Sequence, residues 1–265
     1  MLKHLREAVR DVLPPMIVHA YRVVRHTILW PTEWEMVVAR QFLSRDKVAV
    51  DVGANFGLFT SVLARHSKSV VAFEPNPTCA RYLARVMPSN CEIIDKAVSD
   101  GAGTTMLRVP VSNGVAMAAL ATIEEANRFD TETRTTGLAT YPVETVTLDE
   151  VMLALDRSGD EVGFVNIDAE GHEFAVLKGG EGLLAAWRPV LLVELEYRHG
   201  AAVAEVFAWL EAHRYIPRAL TDGRALGPID PEALRNLQSE ERLAALLAGK
   251  RHTGYLNNIF FLPED

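Results

Sequence analysis

Residues 47–57 read KVAVDVGANFG, and this stretch decides the fold class. Its first six residues form a short valine-rich run that is typical of a buried strand. Gly53 and Gly57 then predict a tight turn, and hydrophobic residues at helical spacing continue over 56–65. In open α/β folds, a glycine-containing turn between the first parallel strand and its helix is where a nucleotide-like ligand approaches the backbone. The stretch therefore predicts an α/β protein with a ligand site at this turn.

Strand and helix signals alternate through the rest of the chain, which indicates a largely parallel sheet. Besides 47–52, we expect strands at residues 69–73, 92–97, 163–167, 190–194, 215–220 and 258–262. Helices are expected at residues 32–44, 56–65, 78–86, 148–155, 173–187, 203–213 and 231–248. The least regular region is 110–142, which is rich in threonine and turn residues, and we interpret it as a substrate loop or lid.

The first 31 residues differ in character from the domain expected at 32–265. They carry five Lys and Arg residues against two acidic ones, a local charge of +3. We interpret residues 1–31 as a helical extension, broken at Pro14 and Pro15, that packs on the domain or on a second subunit. The extension is thus the candidate surface for a homodimer. Membrane-surface attachment is the alternative, because basic amphipathic helices lie on anionic lipid.

Composition and charge exclude several classes of protein. The 265 residues include 27 Lys and Arg against 35 Asp and Glu, a formal charge of −8, which argues against nucleic acid as a partner. Hydrophobic residues make up 49%, as in a folded protein with one large core. The sequence shows neither a signal peptide nor a membrane-spanning stretch, and its two cysteines lack the spacing of a zinc site. These features predict a cytoplasmic protein.

The glycine turn favours S-adenosylmethionine (SAM) over a nicotinamide dinucleotide. A dinucleotide fingerprint would place further glycines where this chain has Asn55 and Leu58, which disfavours a nicotinamide-dependent oxidoreductase. SAM has no pyrophosphate; it carries an amino-acid head, a sulfonium cation and a nucleoside, and Asp51 at the strand end suits its positive charges. Glu74 ends the second strand, 21 residues after Gly53, at the place where an acid accepts both ribose hydroxyls.

Residues at these strand ends are therefore expected to bind SAM. After the third strand, Ala97 and Val98 would pack on the adenine ring or simply fill the core. The expected cofactor-binding residues are Asp51, Gly53, Ala54, Asn55, Gly57, Glu74, Pro75, Asn76, Ala97, Val98 and Asp168.

A second polar cluster follows the fourth predicted strand, where residues 168–173 read DAEGHE. Its three carboxylates would repel one another if they only decorated a surface, so a pocket is favoured. Capping of the next helix is the alternative for Glu173, since an acid in the first turn is stabilised by the helix dipole. Glu194 ends the following strand at the same edge of the sheet.

The chain resembles the FkbM-type family of SAM-dependent methyltransferases. The resemblance rests on ordered blocks: DVGANFG at 51–57, FEPNP at 73–77, TLD at 147–149, IDAEGHE at 167–173 with VLKG at 176–179, and PVLLVE at 189–194. It covers about residues 45–200, with a looser match at 258–263 and a departure at Ala169, where valine is common. The resemblance implies a Rossmann-like, seven-stranded class I methyltransferase fold. It also implies an O-methyltransferase that acts on a hydroxyl of a sugar, glycan or secondary metabolite.

For the chemistry, we expect Asp168 to position the cofactor and the acceptor and to serve as general base. His172 and His199 are rival bases, and Glu194 would orient either. Asp168, Glu170 and Glu194 are also hard oxygen donors that could hold Mg²⁺ beside a substrate diol. A module that binds SAM without transferring its methyl group is the alternative function.

Overall fold

The structure is a computed structural model that describes residues 14–29, 34–125, 127, 135–156, 159–199, 202–220, 225–248 and 254–264. Within these residues the main sheet has eight strands, five of which are parallel to one another and form one side of the sheet. In spatial order these five are β3 (Cys91–Ile94), β2 (Ser69–Phe73), β1 (Val48–Val52), β8 (Val162–Ile167) and β9 (Val190–Glu194). Beyond β9 the sheet continues antiparallel through β12 (Asn258–Pro263), β10 (Tyr215–Leu220) and β11 (Leu226–Pro228). The predicted α/β fold is confirmed, and the short edge strand β11 is an eighth strand that we did not predict.

The helices are α1 (Pro15–Val24), α2 (Trp34–Val38), α3 (Leu58–His66), α4 (Pro77–Val86), α5 (Leu148–Asp156), α6 (Glu173–Lys178), α7 (Glu181–Trp187), α8 (Val203–Ala212), α9 (Pro231–Leu237) and α10 (Glu240–Leu247). A π-helical turn, Arg25–Leu29, continues α1, and 3₁₀ turns lie at Ala39–Phe42, Ala118–Leu120 and Tyr197–His199. None of the helices in the described ranges is long and apolar enough to cross a bilayer.

The central strand β1 fixes the position of the site. All five of its residues are buried, as expected for a strand covered by helices on both faces of a parallel sheet. Alternate side chains point to opposite faces, so Val50 packs with Val165 in one core cluster and Ala49 packs with Phe164 in the other. Because β1, β2 and β8 run parallel, their carboxyl ends meet at one edge of the sheet.

The region predicted as a loop at 110–142 is regular at its two ends, which belong to a second sheet. Its role as a substrate loop or lid stays a prediction. β5 (Gly103–Ser112) and β7 (Gly137–Val146) pair antiparallel over their lengths, flanked by β4 (Ala97–Val98) and β6 (Val115–Ala116). Leu107, Val109 and Val143 form a small core with Ala97. Residues 126 and 128–134 of the predicted loop lie outside the described residues.

Two predicted helices are broken by contacts from distant parts of the chain. The helix predicted at 173–187 divides into α6 and α7 at Gly179 and Gly180, where a Cβ on Gly179 would overlap the carbonyl oxygen of Ser99. The helix predicted at 231–248 divides at Gln238, whose side-chain amide donates to the carbonyl oxygens of Leu195 and Leu256. Close packing thus overrides local helical propensity at both places.

The helix predicted at 32–44 is also shorter than expected. α2 covers only Trp34–Val38 and passes into a 3₁₀ turn, and the strand predicted at 92–97 ends at Ile94, with Ala97 pairing in the second sheet. The expected start at residues 32–33 lies outside the described residues.

Candidate active site

A cleft lies at the carboxyl ends of β1, β2 and β8, where the sequence places its polar motifs. It encloses about 560 Å³, part of it open to solvent. Eight of the predicted site residues line it: Gly53, Asn55, Glu74, Pro75, Ala97, Val98, Asp168 and His172. Six others do not: Asp51, Ala54, Gly57, Asn76, Glu194 and His199.

The turn after β1 brings the backbone close to the exit of β8. Gly53 has φ +83°, and a Cβ at this position would overlap the carbonyl oxygen of Asp168. Only glycine allows this conformation and this approach together. Gly57 has a different role: its absent Cβ leaves room for the side chains of Leu83 and Met87 from the α4 region. Gly53 therefore shapes the cleft, whereas Gly57 allows helix packing.

Glu74 is held in the cleft by two backbone amides. The N–H of Asn55 donates to its Oε2 at 2.6 Å, and the N–H of Asn76 donates to its Oε1 at 2.7 Å. Burial raises the pKa of this carboxyl to about 7, although both hydrogen bonds favour its ionised form. A carboxylate oxygen accepts about two hydrogen bonds, so each oxygen retains capacity for one more donor from a ligand. Asn76 itself caps α4, since its Oδ1 accepts from the N–H of Thr78.

Asp51 lies beneath the cleft rather than on its wall. Its carboxylate is fully buried and accepts from Oγ1 of Thr60 at 2.6 Å and from Nδ2 of Asn166 at 2.9 Å. Burial raises its pKa to about 6. The side chain thus ties β1 to α3 and β8, and direct contact with a cofactor stays a prediction. Ala54 is also buried and donates its N–H to the carbonyl oxygen of Phe73.

The second sheet supplies one wall that the sequence analysis missed. Ala97 and Val98 line the cleft beside Leu107 of β5. Ala121 and Ile123, which follow β6, complete this apolar wall. The alternation of the apolar residues Leu107, Val109 and Val111 along β5 is the sequence signal that identifies this sheet.

Three carboxyl groups predicted as acid–base residues or metal ligands come together at the exits of β8 and β9. One oxygen each of Asp168, Glu170 and Glu194 lies within 4.8 Å of the others. The carboxyl groups of Asp168 and Glu194 lie close enough that their ionisation is linked. Burial raises the pKa of both, and that of Glu194 is raised well above its ordinary value, partly by the negative charge of Asp168.

The two candidate histidines have different surroundings. His172 lines the cleft, but its Nε2 lies 2.9 Å from Oγ of Ser99 and its Nδ1 lies 3.0 Å from Oε2 of Glu124. His199 is buried, with Nε2 3.4 Å from Oε2 of Glu170. That separation satisfies an ion pair, and Oε2 of Glu170 accepts no hydrogen bond within the described part of the chain. Both histidines are thus tied into carboxylate contacts.

The loop after β8 is held from two sides. Thr122 and Asn127 donate side-chain hydrogen bonds to the carbonyl oxygen of Glu170, at 2.9 Å and 2.7 Å. At the start of α6, Oε1 of Glu173 accepts hydrogen bonds from the backbone N–H groups of Ala169 and Gly171. Glu173 thus organises the loop backbone in addition to starting α6.

Comparisons with known proteins give distant structural relatives. No curated protein matches the chain at a significant level. The methyltransferase FkbM of Methylobacillus flagellatus KT is 14% identical, with a TM-score of 0.46, over 83% of this chain and 44% of that one. This chain therefore spans less than half the length of that relative.

Two further solved structures are similar over most of both chains. An rRNA methylase from Streptococcus thermophilus is 12% identical, with a TM-score of 0.42, over 90% of this chain and 99% of that one. A Streptococcus mutans protein assigned as a methyltransferase was solved in complex with S-adenosylhomocysteine (SAH). It is 10% identical, with a TM-score of 0.42, over 87% of this chain and 96% of that one.

The family is decided by a direct sequence match. The model of the methyltransferase FkbM domain matches residues 51–217, which is more than half of the chain. The match begins at the strand of the glycine turn and includes Glu74, Asp168 and Glu194. The chain belongs to the FkbM family of SAM-dependent methyltransferases.

Proposed function

We propose that this protein is a SAM-dependent O-methyltransferase whose acceptor is a hydroxyl group of a sugar, glycan or secondary metabolite. The observation that carries the proposal is the position of Asp168, which lines the same cleft as Glu74 and the Gly53 turn. A carboxylate beside the cofactor residues is what a hydroxyl acceptor needs, because its proton has to leave during methyl transfer.

The residues of the cleft fit SAM part by part. Glu74 has one acceptor position left on each oxygen, which suits the two hydroxyls of a ribose. The apolar wall formed by Ala97, Val98, Leu107 and Ile123 suits the adenine ring. Asp168, next to Gly53, offers negative charge to the ammonium or sulfonium group.

Bound SAM supplies an electrophilic methyl group. Asp168 accepts the proton of the acceptor hydroxyl as the new bond from oxygen to carbon forms and the bond from carbon to sulfur breaks. Its raised pKa makes it a stronger base than an ordinary aspartate, and a positioned base contributes about 10²- to 10⁴-fold. Glu194 lies beside Asp168 and in its protonated form would donate a hydrogen bond that orients the base.

Asp168 is better placed for this role than either histidine. Both ring nitrogens of His172 already have partners, in Ser99 and Glu124. His199 does not line the cleft. The three clustered carboxylates leave Mg²⁺ dependence as a second version of the mechanism, in which they hold the ion beside an acceptor diol.

Two further features belong to the proposal. We place the protein in the cytoplasm, where Cys79 and Cys91 would remain free thiols, as they are in this structure. The acceptor is a small molecule or glycan and not a nucleic acid, in keeping with the charge of −8.

The test is transfer of labelled methyl groups from SAM to a panel of sugars, glycans and hydroxylated metabolites, with Asp168→Asn beside the wild type. We expect kcat, measured at saturating SAM, to fall at least about 100-fold. Asp46→Asn is the matched control, because Asp46 is exposed at the opposite end of β1. An Asp168→Asn variant with unchanged kcat would remove Asp168 from the chemistry.

The transfer assay, together with calorimetric titration of SAH and NAD, separates the alternative functions. Binding of SAH without transfer to any hydroxyl would indicate a non-catalytic binding module. Heat on titration with NAD in place of SAH would indicate an oxidoreductase. Loss of transfer after addition of a chelator, restored by Mg²⁺, would select the metal-dependent version.

A further inference from the structure

Helix α1 is attached to the domain by one face only. His19 and Val23 lie on that face and are buried, as is Thr27 in the π-helical turn. Nε2 of His19 lies 2.7 Å from Oγ of Ser61 on α3, and its ring contacts that of Tyr82 on α4 at 5.8 Å between centroids. These contacts fix which face of α1 points outward.

The outward face of α1 is apolar, although a surface helix normally carries polar side chains there. Met16, Ile17 and Tyr21 are 59%, 52% and 57% exposed. Ile17, Tyr21 and Val24 follow the spacing i, i+4, i+7, which places them on one side of the helix, roughly opposite His19. The helix is therefore hydrophobic on both of its faces.

The charged side chains along α1 and its π-helical turn are of one sign. No acidic residue occurs from Pro14 to Pro31, in a chain that has 35 acidic residues. Arg25 is exposed and Arg22 is half-buried, and neither has an ion-pair partner among the described residues. An apolar helix face flanked by unpaired arginines is the pattern of a helix that lies in the headgroup region of a membrane.

We propose that α1 binds the surface of an anionic membrane, with Ile17 and Tyr21 among the acyl chains and Arg22 and Arg25 against lipid phosphates. A tyrosine suits this depth, because its ring is apolar and its hydroxyl reaches water. A second copy of the chain could also cover the apolar face. A twofold interface would, however, bring the arginines of the two copies together with no nearby acid on α1 to pair with them. The charges therefore favour lipid over a homodimer.

The test is cosedimentation of the full chain with vesicles made from equal parts of phosphatidylcholine and phosphatidylglycerol, beside vesicles of phosphatidylcholine alone. We expect binding to the anionic vesicles and little to the neutral ones. Ile17→Ser with Tyr21→Ser should weaken binding on the order of tenfold or more. Arg25→Gln should weaken it roughly fivefold, and added salt should weaken the wild type further.

Matched controls remove similar groups elsewhere. Leu246→Ser deletes an exposed leucine of α10, and Arg214→Gln deletes an exposed arginine after α8. Both controls should bind vesicles like the wild type. Because the substituted residues of α1 are exposed, melting temperatures should stay close to that of the wild type, which confirms that each variant is folded.

Two outcomes would overturn the proposal. One is absence of binding to the anionic vesicles by the folded wild type. The other is a dimer in sedimentation velocity that becomes a monomer with Ile17→Ser and Tyr21→Ser, since a second copy would then occupy this face.

Discussion

Single residues decide the shape of the cleft, and Gly53 is the clearest example. Its φ of +83° and the approach of the Asp168 carbonyl oxygen both exclude a side chain. Gly53→Ala should lower the free energy of unfolding by at least about 3 kcal/mol, through backbone strain and overlap together. Gly114→Ala is the control, because Gly114 has φ +76° but open space around its Cβ position. Gly114→Ala should lower the free energy of unfolding, measured with urea, by only about 1 kcal/mol. Equal losses for the two variants would contradict the close approach.

Glu74 is the residue on which cofactor affinity should depend most. A glutamine offers a single acceptor oxygen to the two amides of Asn55 and Asn76 and carries no charge. Glu74→Gln should weaken SAH binding roughly 10- to 100-fold in isothermal titration, since hydrogen bonds to charged groups are worth about 1.5–3 kcal/mol. Glu92→Gln, an exposed change on β3, should have no effect. Unchanged affinity of the Glu74 variant would mean that the ribose binds elsewhere.

At the scale of elements, the sequence predicted the main sheet well and the second sheet poorly. The five parallel strands are visible as runs rich in valine, leucine and isoleucine, because parallel strands are buried on both faces. β5 and β7 are half-exposed, contain Pro110 and Pro142, and pair across a long intervening segment. Local patterns do not show such pairing. The break at Gly179 likewise depends on Ser99, about eighty positions earlier, which helical periodicity cannot reveal.

The candidate site likewise contains some residues that the sequence could predict and others that it could not. Glu74 and Asp168 were predictable because the carboxyl ends of parallel strands share an edge. The partners of His172 were not, since Ser99 and Glu124 reach it from two connections between strands of the second sheet. Asp51 was predicted as a ligand from its position at a strand end, but the direction of its side chain depends on Thr60 and Asn166.

The second sheet should contribute to cofactor binding through Ile123. Ile123→Ala removes apolar atoms from the cleft wall, which should cost about 1 kcal/mol of binding, or roughly fivefold in the dissociation constant of SAH. Leu138→Ala is the control, because Leu138 is 47% exposed on β7. Isothermal titration of both variants with SAH measures the two dissociation constants. A wild-type affinity in Ile123→Ala would place the adenine away from the second sheet.

For the whole molecule, stability should depend on pH through carboxyl groups buried around the cleft. Burial raises the pKa of Glu74 and Glu173 to about 7 and that of Asp51 to about 6. The folded chain therefore keeps these protons up to a higher pH than the unfolded chain, whose ordinary values are 3.8 and 4.5. Their stabilising contribution is complete below those ordinary values and is lost as the pH rises through 6 to 7. His19 acts in the opposite direction, because burial lowers its pKa.

Glu173→Gln isolates one of these groups. Oε1 of Glu173 accepts from Ala169 and Gly171, and its buried Oε2 has no hydrogen-bond partner among the described residues. Glutamine keeps the two hydrogen bonds and cannot ionise. The variant should exceed the wild type in free energy of unfolding on the order of 2 kcal/mol at about pH 8, and this advantage should vanish toward about pH 4.5. Urea unfolding across this range measures the difference, with Glu92→Gln as a pH-independent reference. An advantage that stays constant with pH would show that Glu173 is not protonated on folding near neutrality.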